Sequence, residues 1–425
     1  MRILLVHQNF PGQFLHLAPA LVRRGHEVHA LKIANGTVTP SLWRGVHVHP
    51  YAPTRGSSKG IHPWIADMET KTIRGEAAWR KARELRATGV SPDVIYAHPG
   101  WGESLFLKQV WPQARLVLLG EFFYSPEGAD MGFDPEFASA DAGADHCRTQ
   151  MKNLNHLSQL VHADLVISPT RWQASRFPMP WRDRIEIAHE GVNTRRLRPD
   201  PQVRARLKDG TELSREDEVI TFVARHLEPY RGFHVFMRAL PALLRSRPKA
   251  QVLVVGEEGV SYGAKPSAHG SWKECLLEEL GPALDEAGAA RVHLLGRLDR
   301  EAFTKILQLS TVHVYLTYPF VLSWSLIEAM SIGCAIVASD TAPVREVLSD
   351  GRDALLVDFF DGAGLVERVN ELLEDAVLRA RLAAQARCTA VERFDLESVC
   401  LPRQLAVLEG LGLKPRENAA GTHPA

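Results

Sequence analysis

The 425-residue chain reads as an α/β protein of two Rossmann-like domains, each a doubly wound parallel sheet, facing one another across a cleft. Three observations lead there. Short continuous apolar runs alternate with helical stretches, as strands buried on both faces require. The alternation occurs twice. It breaks once, near 191–218, where Gly191, Pro199, Pro201 and a dense charged stretch interrupt the apolar rhythm.

Taken in order, the first half predicts strands at 2–6, 27–31, 93–97, 115–119 and 164–168, with helices such as 13–24 and 102–111 between them. The second half predicts strands near 219–224, 251–255, 292–295, 312–316, 335–338 and 354–357. The expected units are 1–195 and 196–394. A terminal helix at 395–412 would cross back to the first unit, and 413–425, with nothing to bury, would be a disordered tail.

Composition narrows the function classes. Lys plus Arg and Asp plus Glu balance at 50 each, so no global field attracts nucleic acid, and none is expected as a partner. The five cysteines show no Cys-x-x-Cys spacing, which fits reduced thiols and a cytoplasmic protein. The first six residues form a strand rather than a signal peptide, and no apolar run approaches the ~20 residues of a membrane helix. Peripheral association with the inner face of a membrane stays open, as does the oligomeric state.

Two windows carry chemistry. At 315–330 an apolar strand ends and a helix begins at small polar residues, so Ser323, Trp324, Ser325 and Leu326 offer unpaired N–H groups, the positive end of a helix dipole and two hydroxyls to a diphosphate. Glu328, one turn on, can accept hydrogen bonds from the two hydroxyls of a ribose. An ordinary serine N-cap with a solvated glutamate is the alternative. At 219–232 a strand, a tight turn and a helix place Arg225 and Arg231 where two guanidiniums can converge on one anion.

The first half offers partners for such a site. Gly12 follows the first strand and would let backbone approach a ligand. His98 projects from the tip of the strand 93–97, and Trp101, Glu121, Phe123 and Tyr124 follow strand ends where an acceptor pocket is expected, although the aromatics fit a core equally well. Loops 53–75 and 121–146 are further candidates for reading the acceptor. The acidic run 127–145 reads as a solvated loop or lid; with no Asp-x-Asp and no histidine at ligand spacing, no metal is expected.

These residues resemble the retaining glycosyltransferases of family four (group 1), which have the GT-B fold, over roughly 1–410. Phe10-Pro11-Gly12, then Arg24-Gly25-His26-Glu27-Val28, Asp93-Val94-Ile95-Tyr96-Ala97-His98 and Glu190-Gly191-Val192-Asn193 resemble family motifs in order. Val223-Ala224-Arg225 through Arg231-Gly232 resembles the donor-phosphate motif, with Arg231 in place of its lysine. The most specific stretch runs from Glu328-Ala329-Met330 to Ala338-Ser339-Asp340. One departure matters: Phe320 stands where the family has the first of two glutamates eight positions apart.

The resemblance implies transfer of a sugar from a nucleotide-diphosphate donor to a hydroxyl of a carbohydrate or lipid-linked acceptor, with retention, no cofactor and no metal. It implies that Arg225 and Arg231 hold the diphosphate, that His98 bonds the donor sugar, that Glu328 holds the ribose, and that Gly296, Arg297 and Leu298 lie near the base. Alternatives on the same architecture are a sugar-nucleotide epimerase, a phosphorylase, for which no lysine is placed to carry pyridoxal phosphate, or a donor-binding protein without turnover because of Phe320.

Overall fold

The computed structural model describes residues 1–413 apart from 35, 37, 38, 140, 268, 269 and 282; the tail expected at 413–425 therefore lies, from 414 on, outside the described residues. The first sheet contains β1 (Arg2–Val6), β2 (Glu27–Ile33), β3 (Ser41–Trp43), β4 (Val46–Tyr51), β5 (Val94–Ala97), β6 (Arg115–Leu119), β7 (Leu165–Ser168) and β8 (Ile185–Ile187). Its order is β3-β4-β2-β1-β5-β6-β7-β8, parallel throughout except where β3 runs against β4. Its central strands, β1, β5 and β6, are the continuous apolar runs, and their side chains are buried on both faces as those runs require. A two-stranded hairpin, β9 (Arg204–Arg206) and β10 (Glu212–Ser214), fills the break between the halves.

The second sheet comprises β11 (Val219–His226), β12 (Gln251–Glu257), β13 (Val292–Gly296), β14 (Val312–Tyr315), β15 (Ile336–Ser339) and β16 (Leu355–Val357), all parallel in the order β13-β12-β11-β14-β15-β16. Reversal of strand order beside β11 and β14 opens a crevice at their carboxyl ends. Both signal windows end there.

Several expectations are corrected. The helix expected at 13–24 is a short turn, Gly12–Phe14, followed by Leu17–Arg23, and that at 102–111 shrinks to Leu107–Val110. The proposed acceptor loop 53–75 is helical from Ala66, within Ala66–Ala87. The acidic run 127–145 is no solvated loop: Asp130 and Asp134 are buried, and the helix Ala142–Leu160 begins inside it behind the N-cap Asp141.

Besides the crossover between β8 and β9, two segments join the halves. After the helix Ala376–Phe394 the chain turns through Leu396–Cys400 into the helix Leu401–Leu413, whose Leu401, Leu405 and Leu408 pack with Ile3, Leu5 and Tyr96 of the first sheet. The second segment, 122–137, leaves the first half and embeds Phe122 and Ala129 in the core of the second. Phe133 meets the rings of Tyr318, Phe359 and Phe360. Four polar contacts pin this strap: Tyr230 to Asp130 at 2.9 Å, Tyr318 to Asp134 at 2.6 Å, His234 to Asp134 at 3.0 Å, and a two-pronged pair of Arg238 with Glu136 at 2.6 and 2.8 Å.

Candidate active site

On the second half, Arg225 is the last residue but one of β11, and the chain makes one tight turn, Pro229–Arg231, before the helix Phe233–Ser246. Gly232 lets it do so: its φ is +67°, and a Cβ there would stand 2.3 Å from that of Leu316. Arg231 is buried, and its Nη1 donates to Thr317 Oγ1 at 2.9 Å and to the Val321 carbonyl at 3.0 Å. That fixes the guanidinium against the loop that leads into the helix Trp324–Ile332. Arg225 is exposed and, among the described residues, engaged by no hydrogen bond or ion pair.

Ser323 caps that helix. Its hydroxyl accepts from the Ser325 N–H at 3.3 Å, and its own N–H donates to the Tyr315 hydroxyl at 3.0 Å. Trp324 is exposed at the helix start, whereas Leu326 is wholly buried. Glu328 is 5% exposed and its Oε1 is taken by Arg300 Nη2 at 2.5 Å. Gly296 ends β13 with φ +66°, Arg297 pairs with Glu257 at 3.1 Å, and Leu298 packs on the second core.

On the first half, His98 lies in a chain of hydrogen bonds. Its Nδ1 accepts from the Gly100 N–H at 3.1 Å, so its Nε2 carries the proton and donates to Glu121 Oε2 at 3.0 Å. Gln13 Nε2 donates to the other oxygen of Glu121 at 2.9 Å, and Gln13 Oε1 accepts from His7 at 2.5 Å. Burial opposes ionisation of Glu121, but the bonds from His98 and Gln13 outweigh it and hold the carboxyl below its usual range. Burial, with His98 nearby, lowers His7 to about 4, so it is neutral. Gly12 covers the His7 ring so closely that a Cβ would come within 2.2 Å of it. From behind, Asn155 and Gln159 donate to the Pro99 carbonyl at 2.8 and 3.1 Å and hold the turn that presents His98.

The remaining expected residues divide. Trp101 stacks on His98 with centroids 4.1 Å apart, inside the site. Glu121 belongs to the His98 chain. Phe123 is core, against Phe177, and Tyr124 lies under Lys152 Nζ at 3.6 Å. Phe320 does not border open space: it is 3% exposed, with its ring 4.6 Å from Phe122, 4.7 Å from Tyr262 and 5.5 Å from Tyr230. Tyr262 in turn lies 5.5 Å from the Arg231 guanidinium, and Glu228 holds its loop through the N–H groups of 261–263. Asp134, Glu136 and His234 come within 4.8 Å of one another, but Tyr318 and Arg238 already occupy their oxygens. Glu190, on the crossover, was noticed only within its motif, yet its buried carboxyl faces both Glu121 and Trp324.

Comparison with known proteins agrees with this geometry. A model described as the glycosyl transferase family 4 group matches residues 24–197, and one described as glycosyl transferases group 1 matches 204–389. Over 256 residues the chain is 32% identical to a phosphatidyl-myo-inositol mannosyltransferase of Mycolicibacterium smegmatis, covering 59% of this chain and 58% of that protein. Over 230 residues it is 27% identical to a D-inositol 3-phosphate glycosyltransferase of a Nocardioides species, covering 53% and 49%. The chain thus spans about half the length of the curated relatives it matches. Among solved structures, sucrose-phosphate synthase from Thermosynechococcus elongatus superposes with a TM-score of 0.74 at 16% identity, covering 97% of this chain and 100% of that one. Anabaena HepE in complex with UDP-glucose gives 0.66 at 16%, covering 96% and 99%. These two likenesses concern the fold. With one family model on each half, 24–197 and 204–389, and two parallel-sheet domains, the chain belongs to the group 1, family 4 glycosyltransferases of GT-B fold.

Proposed function

We propose that the protein is a retaining glycosyltransferase, moving a sugar from a nucleotide-diphosphate donor to a hydroxyl of a carbohydrate or lipid-linked acceptor in glycan or glycolipid synthesis. The observation that carries the reading is Arg231, buried and clamped to the Val321 carbonyl two residues before the Ser323 helix start, with Arg225, unpaired among the described residues, near the end of the strand that leads into that turn. Among the described residues only Nη1 of Arg231 donates a hydrogen bond, which leaves the other N–H groups of the fork for an anion.

In this reading the bond from the anomeric carbon to the diphosphate breaks and the acceptor oxygen bonds that carbon on the same face. The acceptor proton passes to the departing phosphate oxygen. Charge grows on the diphosphate as the bond breaks, so the two arginines and the helix N-terminus stabilise the transition state more than the ground state. Glu328, steadied by Arg300, keeps one oxygen for the ribose. His98, locked by Glu121 in the tautomer protonated at Nε2, fixes the far side of the sugar pocket.

The relatives' names make inositol-bearing acceptors the first to try. No helix of the described residues is long and apolar enough to cross a membrane, and a cytoplasmic enzyme meeting a lipid acceptor at the surface fits the reading. Thermal-shift screening with UDP, GDP, ADP and CDP sugars tests the donor site, since a bound donor raises the melting temperature by mass action. No shift with any of them overturns the reading. Phe320 favours one rival, a donor-binding protein without turnover. Slow hydrolysis of donor in the absence of acceptor is expected of the transferase, and its absence would favour the binder.

A further inference from the structure

Glu190 lies on the crossover between β8 and the β9–β10 hairpin, 8% exposed, and its Oε2 has no hydrogen-bond partner among the described residues. Buried carboxyl oxygens are rarely left so, because desolvation without a donor costs free energy. The nearest titratable neighbour offers no help. His189 Nδ1 is 3.9 Å away but accepts from the Gly191 N–H at 2.9 Å, so it carries no proton to give, and burial lowers that histidine to about 4.

The groups facing Glu190 come from four elements: Tyr96 on β5, Glu121 after β6, Cys400 on the turn into the last helix, and Trp324 at the start of the donor helix. None is a cation. Burial first, and the charge of Glu121, push the Glu190 carboxyl up to about 7, against its own backbone N–H and the Trp324 side chain, whose hydrogen bonds to the carboxyl act the other way and leave Oε2 without a partner. Two of the four neighbours belong to opposite sides of the proposed donor site. Glu121 accepts the His98 hydrogen bond, and Trp324 is the first residue of the helix aimed at the diphosphate.

We propose that Glu190 is a substrate-contacting residue of this cleft, its Oε2 bonding a hydroxyl of the transferred sugar between Trp324 and the His98–Glu121 pair. The inference rests on the donor reading above. It assigns to the crossover a role in recognising the sugar rather than the nucleotide, and it supplies the partner that Oε2 lacks.

Calorimetric titration of wild type, Glu190→Ala and Glu190→Gln with UDP-glucose, GDP-mannose and ADP-glucose, and with the corresponding free diphosphates, tests it. The alanine variant is expected to bind the sugar nucleotide on the order of tenfold more weakly, the size of one lost hydrogen bond, and the free diphosphate as wild type does. Glutamine keeps a hydrogen-bonding group and should keep most of the affinity. Between about pH 6 and 8 wild-type affinity for the sugar nucleotide should rise, because the carboxylate accepts the hydrogen bond of a sugar hydroxyl more strongly than the acid does, while the glutamine variant stays flat. Should alanine not fold, the glutamine pH profile decides. Equal binding by wild type and alanine variant, or equal losses for sugar nucleotide and free diphosphate, overturns Glu190 alone. Wild type that binds no nucleotide at all removes the donor reading and this proposal with it.

Discussion

Arg225, near the end of β11, and Arg231, on the turn that follows it, carry the same charge, but their surroundings separate their expected behaviour. Arg225 has no protein partner among the described residues, so Arg225→Ala should leave the melting temperature unchanged while lowering transfer on the order of a hundredfold, as loss of one preorganised donor does. A variant with normal turnover would remove it from the site. Arg231→Ala should lower both, because Thr317 and Val321 lose their donor. Phe320 is expected to matter for stability: Phe320→Ala should cost about 3 kcal/mol in urea unfolding by opening the cluster of Phe122, Tyr230 and Tyr262. Unchanged stability would contradict its place in that core. The residues legible in the sequence were those whose meaning is local, such as Ser323 capping its own helix and Gly232 closing its own turn. Gln13 and His7 stayed hidden because their chemistry depends on Glu121, which is 108 residues from Gln13.

Among elements, the buried strands were legible because continuous apolar runs have few other uses. The long helices of the first half were not. Ala142–Leu160 buries Thr149, Asn153, Asn155, His156 and Gln159 and adds apolar contact only near its end, at Leu157 and Leu160, so its buried face is mostly polar, with Asn155 and Gln159 holding the His98 turn. Ala66–Ala87 buries three alanines, Gly75 and Lys71 beside one isoleucine and one leucine, too few large apolar side chains to mark a stripe. The hairpin β9–β10 is three residues a side and charged, so it passed as a linker. One cap crosses between halves: Glu346 accepts from the backbone N–H groups of Arg171 and Trp172 at 2.8 and 2.7 Å. Glu346→Ala should destabilise the protein by about 1 kcal/mol, measured by chemical denaturation, and an unaltered midpoint would mean that the cap is idle.

For the molecule as a whole, acid should act through histidines. Burial holds His7, His49, His189 and His313 at about 4 and His156 at about 3, whereas the unfolded chain titrates near 6.5. Below about pH 6.5 the unfolded state therefore binds more protons, and stability present above that value should be lost progressively as pH falls toward 4. Glu190, Glu103 and Asp130, raised by burial, act in the opposite sense, but they are fewer. Urea unfolding at about pH 7 and 5 checks the sign, and equal stability at the two would exclude neutral buried histidines as the cause.

The strap at 122–137 has a consequence for how substrates arrive. Separating the two halves as rigid bodies would expose Phe122, Ala129 and Phe133 to water and strand Asp134 away from Tyr318 and His234. The last helix ties the halves a second time through Leu401, Leu405 and Leu408. Together with the Glu346 cap, these fastenings oppose separation of the halves, so a motion that opens the cleft has to keep the strap and the last helix seated. Donor and acceptor are then expected to reach the cleft through the side that the strap and the last helix leave uncovered.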